Sequence, residues 1–324
     1  MKNLLEVTNL HVRLVKRGVP IEAVDEISFS IKEGEILGLA GESGCGKTLA
    51  ALSITGLLPQ NAKIINGSIK YKNIELRSMN EKDYSNIRGK EIGAIFQEYR
   101  DALNPLIKSG KQIAETLELA GVEKTESKRR ATEMLLRLGF EEPEKIYNLY
   151  PYQLSGGMCQ RIMTAIAAIG NPKLLLADEP SSALDTESQE KILSLLKQMN
   201  QNYGATILII SHDLSIIRQF CSRYLIMYAG KIIEEGPSHL LSSPLHPYTK
   251  GLTAAIPSKE KKGGNLKAIP VKAPYVKDEK TRCPFAPRCG KAQSICHKVF
   301  PPATRTTEER VVYCNFPENE AANG

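Results

Sequence analysis

The chain contains no tryptophan, and aromatic residues make up only 6% of its 324 positions. No apolar run approaches the roughly 18 residues that a membrane-crossing helix needs. The opening stretch, MKNLLEVTNLHVRLVKRG, has no long apolar core after its basic start, as a signal peptide would. These absences argue against a membrane-spanning or secreted protein and lead to the expectation of a soluble chain in the cytoplasm. Cysteine is also scarce, with seven residues, and thiols in a reducing compartment do not build a disulfide framework. A large excess of one charge is missing too: 43 Lys and Arg face 36 Asp and Glu, a net of +7. The excess is concentrated in residues 258–282, where eight basic and three acidic side chains share a stretch containing Gly and Pro. Such a segment could touch nucleic acid or an anionic membrane face, but a solvated linker is the favoured reading.

At 42% hydrophobic residues, the composition supports a sizeable core, one large domain and a smaller appendage. Three short apolar runs, EILGLAG (35–41), LLLADEP (174–180) and TILIISHD (206–213), stop at Gly or at acidic, polar or Pro-containing turns. They read as strands of a parallel sheet buried on both faces. Between the last two, SQEKILSLLKQMNQNYG repeats apolar residues at helical spacing and ends on Gly204, which predicts a crossover helix with a glycine stop. The class is therefore α/β. Residues 101–160 carry mostly helical periodicity and are expected to form a helical insertion in a domain spanning 1–257, followed by the basic linker and a cysteine-containing tail over 258–324.

GESGCGKT, from Gly41 to Thr48, lies between the first strand and an apolar helical stretch. That is the strand, loop and helix context in which a G-x-x-x-x-G-K-[ST] loop binds phosphate. Gly41, Gly44 and Gly46 let backbone N–H groups converge on phosphate oxygens, and Glu42, Ser43 and Cys45 complete the loop. Lys47 is suited to the β- and γ-phosphates, and Thr48 to a Mg²⁺ ion. Cys45, among oriented N–H groups, is expected to have a lowered thiol pKa. The second strand delivers Asp178, a Mg²⁺ ligand, and Glu179, a general base, to the sheet edge where open α/β sheets bind ligands. The third strand leads to His212, within reach of the γ-phosphate. LSGGMCQR (154–161) places Ser155, Gly156 and Gly157 at another helix N-terminus, a second anion site for which one chain has no obvious use.

Together these motifs resemble the ATPase subunits of ABC transporters, in which two nucleotide-binding domains pack head to tail and each signature loop covers the ATP on its partner. The resemblance extends over nearly the whole chain. It implies a P-loop NTPase fold with a helical subdomain, and it assigns Gln97 to the Q-loop, as a contact to Mg²⁺ and a catalytic residue. Ser155, Gly156, Gly157 and Gln160 match the signature, Asp178 and Glu179 the Walker B pair, Asp185 the D-loop and His212 the switch histidine. LNP after the Q-loop, HPYTKGLTAAIP and the cysteine tail are similar to the dipeptide, oligopeptide and nickel importer group. The resemblance thus implies an ATP-hydrolysing subunit, peripheral on the cytoplasmic face of the cell membrane. It would pair with a second ATPase, dock on two transmembrane permease subunits, serve an extracellular substrate-binding protein indirectly and bind no nucleic acid. A soluble ABC ATPase acting as a switch on DNA or ribosomes is the alternative, although only 105 residues separate Thr48 from Leu154, too few for a long coiled-coil insertion.

Two positions depart from the family pattern. Residues 1–28 hold no Phe, Tyr or Trp to stack on adenine, so His11 or Arg13 is expected to substitute. Cys159 stands where this importer group commonly carries Arg. In the tail, Cys283, Cys289, Cys296 and Cys314 are separated by five, six and seventeen residues, without the tight pair that a zinc knuckle usually has. Four thiolates also suit a 4Fe–4S cluster, which the resemblance favours, with zinc or free structural thiols as alternatives. An irregular extension held by its metal instead of by a core is the expectation.

Overall fold

Two long runs at the start of the chain pair as an antiparallel ribbon. The computed structural model describes residues 2–98, 102–182, 184–254, 282–306 and 309–318. In it, β1 (Asn3–Lys16) and β2 (Val19–Lys32) pair from Lys16↔Val19 to Asn3↔Lys32. Beyond them in the chain come β3 (Ile36–Ala40), α1 (Lys47–Thr55), β4 (Ala62–Tyr71) and β5 (Ile74–Glu75). β4 and β5 complete a four-stranded antiparallel sheet of order β2-β1-β4-β5. The short α2 (Glu81–Ile87) starts on a reciprocal capping box between Asn80 and Asp83, and β6 (Ile92–Ile95) follows.

The three apolar runs are strands, as expected. β3 lies beside β8 (Thr206–Ser211), and β8 beside β7 (Leu174–Asp178), all parallel, with Leu39↔Ile210 and Leu176↔Leu208 in register. Every residue of β7 and β8 is buried, which is why these runs are continuously apolar instead of alternating. With β9 (Arg223–Tyr228), β10 (Lys231–Pro237), β11 (Thr304–Arg305) and β12 (Val311–Val312), the larger sheet has the order β11-β12-β10-β9-β3-β8-β7-β6. One core, including Leu5, Leu10, Ile31, Leu39, Ile54 and Ile210, fills the space between the two sheets and α1. A second, on the other face, packs helices against the large sheet.

The expected helical insertion consists of α3 (Ser109–Leu119), α4 (Lys124–Arg137) and α5 (Pro143–Asn148), leading to α6 (Gly156–Ala168). The long α7 (Thr186–Tyr203) stops at Gly204, whose φ of 66° supplies the left-handed C-cap. Then α8 (Leu214–Phe220), β9 (Arg223–Tyr228), β10 (Lys231–Pro237) and α9 (Pro247–Ala254) complete the main body. Most of the basic stretch, residues 258–281, lies outside the described residues.

The cysteine-containing extension departs from the expectation of an irregular segment held by its metal instead of by a core, because it joins the core of the main body. Its strands β11 (Thr304–Arg305) and β12 (Val311–Val312) continue the large sheet, with Glu234↔Val312 and Glu235↔Val311 paired across β10 and β12. Cys283, Phe285, Ala286 and Cys296 belong to the same apolar cluster as the central helices. The physical reason is twofold. β10 offers a free edge to β12, and the Phe285 ring fills a niche against Tyr228 and Tyr248, each 5.4 Å away centroid to centroid.

Candidate functional site

The phosphate loop turns tightly because two neighbouring carbonyls leave it no room. A Cβ on Gly41 would lie 2.1 Å from the Met227 carbonyl oxygen of β9, and one on Gly46 would lie 2.2 Å from the Ala23 carbonyl oxygen of β2. Gly46 also caps α1 at φ 109°, a conformation that side-chain-bearing residues avoid. The loop is thus wedged between the two sheets, with the N-terminus of α1 aimed into a cavity of about 950 Å³. Ser43, Gly44, Gly46, Lys47 and Thr48 line that cavity, together with Gln97, Asp178, Glu179 and His212. Lys47 is buried and folds over its own loop, donating to the Gly41 carbonyl at 2.8 Å and the Glu42 carbonyl at 2.9 Å.

Strands β7 and β8 place the acidic residues at their C-terminal edge. Asp178 is buried and its Oδ1 has no hydrogen-bond partner. Burial pushes its carboxyl up to about 6, and the Glu179 charge adds to this, while the Thr48 hydroxyl and Lys47 oppose it. A buried, unsatisfied carboxylate oxygen next to the Thr48 hydroxyl and within the cavity that Gln97 borders is the hard oxygen set that Mg²⁺ prefers. The three residues expected to meet the ion therefore fit it. Glu179 adopts the left-handed region, φ 49°, a conformation that costs a side-chain-bearing residue on the order of 1–3 kcal/mol. Its backbone is held there by bonds from Glu179 N–H to the Ile210 carbonyl at 2.9 Å and from Gln160 Nε2 to the Glu179 carbonyl at 3.0 Å. Its Oε1 accepts the His212 backbone N–H at 2.9 Å and lies 2.7 Å from His212 Nδ1. His212 and Glu179 thus form one unit at the phosphate end of the cavity.

Several expected contacts fall elsewhere. Gln160 is 1% exposed and donates to the Glu179 carbonyl in its own chain. Asp185 is the N-cap of α7, accepting the Ser188 N–H at 2.9 Å, because its position directly before the helix makes capping the nearest use of a carboxylate. Cys45 is buried behind the loop, and desolvation raises its thiol pKa despite Lys47, which reverses the expected lowering. His11 and Arg13 both bind Glu22, Arg13 Nε at 2.9 Å, and neither borders the cavity. The cavity wall on the β1–β2 ribbon is instead an aliphatic shelf of Leu14, Val19, Pro20 and Ile21, readable in the sequence only as the missing aromatic. Cys159 is buried in α6 and contacts the Pro151 carbonyl. Ser155 caps α6 by accepting the Met158 N–H, and Ser155, Gly156 and Gly157 lie outside this chain's own cavity.

Comparisons with known proteins agree with this geometry. The ABC transporter family pattern matches residues 24–182, and the oligopeptide/dipeptide transporter C-terminal region matches 233–296. The chain is 42% identical to the oligopeptide transport ATP-binding protein AppD of Bacillus subtilis, over 99% of both chains. It is 35% identical to the dipeptide transport ATP-binding protein DppD of Escherichia coli, over 98% of both. A dimeric post-hydrolysis structure of the ATP-binding cassette MJ0796, bound to ADP and Pi, superposes with a TM-score of 0.66 at 30% identity, covering 72% of this chain and 98% of that one. The chain belongs to the ABC transporter ATPases, and within them to the ATP-binding subunits of importers. None of these relatives is a soluble switch on DNA or ribosomes, and among the described residues no helix is long and apolar enough to cross a membrane.

The four tail cysteines line one small cavity of about 20 Å³ with His246, Phe285 and Phe316. Burial pushes the Cys283 thiol up to about 11 and also raises Cys289 and Cys314. Among the described residues no three His, Cys, Asp or Glu side chains are arranged to hold a metal ion. Four thiols around one cavity are donors that suit a soft metal, and as placed they do not form a coordination set.

The Glu179–His212 unit makes a direct prediction. Glu179→Gln keeps the shape but not the base, so nucleotide binding should stay near wild type while turnover falls by about 10²-fold or more. Single-turnover hydrolysis at wild-type rate in this variant would remove Glu179 from the role of base.

Proposed function

We propose that this subunit powers the uptake of dipeptides or oligopeptides through two transmembrane permease subunits, as one half of a head-to-tail ATPase pair on the cytoplasmic face of the membrane. The observation that carries the pairing is the outward placement of Ser155, Gly156 and Gly157, off this chain's cavity. A helix N-terminus that binds an anion is then supplied to a second ATPase subunit. The peptide cargo rests on the peptide-transport relatives and on the match to the oligopeptide/dipeptide transporter C-terminal region. An extracellular binding protein would present that cargo from the far side.

Within the cavity the roles follow from position. The loop N–H groups and Lys47 hold the phosphates. Glu179, fixed by Gln160 and His212, accepts the proton of the attacking water, and His212 orients that carboxylate toward the γ-phosphate. Thr48 and Asp178, with Gln97 at the cavity edge, would hold Mg²⁺, which when bound neutralises charge on the β- and γ-phosphates. The aliphatic shelf gripping the base offers apolar contact without ring stacking.

For the tail we propose a soft metal held by Cys283, Cys289, Cys296 and Cys314. A 4Fe–4S cluster is the reading that the number of thiols and the resemblance favour, and zinc is the alternative. Anaerobically purified protein should be brown and carry about four irons per chain. Stoichiometric zinc without iron would decide for zinc, and absence of both would leave the thiols purely structural.

The transport reading is tested by reconstituting the subunit with its permeases and binding protein. Binding protein loaded with a dipeptide or oligopeptide should raise ATP hydrolysis several-fold over the unloaded form. Stimulation by non-peptide cargo alone would overturn the peptide assignment.

A further inference from the structure

The phosphate loop is gripped from behind by a part of the chain nearly 250 residues away. Glu42, second in the loop, donates its backbone N–H to Tyr248 Oη at 2.9 Å. Its carboxylate receives a two-pronged contact from Arg288, Nη1 to Oε2 at 2.9 Å and Nη2 to Oε1 at 3.0 Å. This planar fork matches a carboxylate in a way that a single ammonium cannot. Arg288 also donates to Tyr228 Oη at 3.2 Å. Tyr228 follows Met227, whose carbonyl presses on Gly41, so Arg288 pins Glu42 to the strand that shapes the loop.

Both grips start at the wall of the cysteine cavity. Arg288 ends the short turn Ala286–Arg288 directly before Cys289. Tyr248 donates its backbone N–H to Nδ1 of His246, at 3.0 Å, and His246 lines the cavity. Neither contact faces the nucleotide cavity, and neither Glu42, Tyr248 nor Arg288 borders it.

We propose that Arg288 is a positioning residue for the nucleotide site. By fixing Glu42 it holds the phosphate loop in its binding shape, so that docking of the C-terminal module and binding of nucleotide favour one another. A loop already ordered loses less freedom when phosphate binds. By linkage, nucleotide must tighten the docking of the module as much as the docked module tightens nucleotide. The proposal rests on the loop's role in binding ATP and deepens it.

The test uses the full chain and Mg-ATP. Arg288→Ala should weaken ATP binding about 5- to 20-fold and raise KM to match, with kcat at saturation changed less than about twofold. Arg288→Lys should recover only part of the affinity, because it keeps the charge and loses the fork. Arg288→Glu combined with Glu42→Arg should recover affinity that each single reversal loses, which controls for variants that merely damage the tail. Hydrogen exchange supplies the reciprocal readout: Mg-ATP should slow exchange in residues 282–318 of the wild type but not of Arg288→Ala. Unchanged affinity in folded Arg288→Ala overturns the proposal. So does a paired reversal that binds no better than the single ones, or an absence of nucleotide-dependent protection in the wild-type tail. Lys47→Ala serves as the control for the underlying reading, since wild-type ATP affinity in that variant would dismiss the loop itself and not the tether.

Discussion

Two carbonyl oxygens, from Met227 and Ala23, press on the phosphate loop at places where only glycine fits. This contact is what the rest of the site depends on. Met227 belongs to the large sheet and Ala23 to the antiparallel one, so the loop is shaped only when both sheets are in place. Once it is wedged there, α1 must leave with its N-terminus toward the cavity, and Lys47 must cross back over the loop. The Gly230 N–H adds a bond to the Cys45 carbonyl at 2.9 Å, closing the loop against the β9–β10 turn. A methyl group at Gly41 or Gly46 would therefore disturb two sheets and a helix at once.

The same wedge sets the electrostatics. Two adjacent carboxylates, both under a tenth exposed, sit at the end of a fully buried strand. Burying charge this way is unfavourable unless partners are close. Lys47 and the Thr48 hydroxyl supply part of that compensation to Asp178, and the His212 backbone N–H and imidazole supply it to Glu179. What is left over, the unpaired Asp178 Oδ1 and the left-handed backbone of Glu179, lies where the chemistry needs an unsatisfied ligand and an aimed base. Strain and incomplete pairing are concentrated at the reacting end, and the continuous apolar strands around it hold them in place.

How far the sequence could be read follows from the range of each interaction. β3, β7 and β8 were legible because burial on both faces makes parallel strands continuously apolar, and the end of α7 was legible because Gly204 alone accepts the left-handed cap. Lys47, Thr48, Asp178, Glu179 and His212 were legible because a strand end or a loop fixes them locally, and all five border the cavity. The bond from Gln160 to the Glu179 backbone was not legible, since the motif carries no sign of which way a helical side chain turns. The capping role of Asp185 was not singled out, because a carboxylate before a helix serves as a cap as readily as a ligand. Cys45 was misread by weighing the loop N–H groups and not its burial. The integration of the tail and the fork from Arg288 to Glu42 were illegible, because they join residues far apart in the chain and depend on the completed sheet edge.

In the proposed head-to-tail pair this chain is half of a composite site: it would grip and hydrolyse one ATP with its own loop and Glu179, and would cover another with Ser155 and Gly157. The most direct measurement is photo-crosslinking of azido-ATP to a pair in which only this subunit carries Gly157→Asp. Labelling should vanish from the phosphate loop of the partner ATPase and persist on the loop that contains Lys47 of this chain. Loss of labelling on this chain's own loop, with the partner's site still filled, would contradict the head-to-tail arrangement.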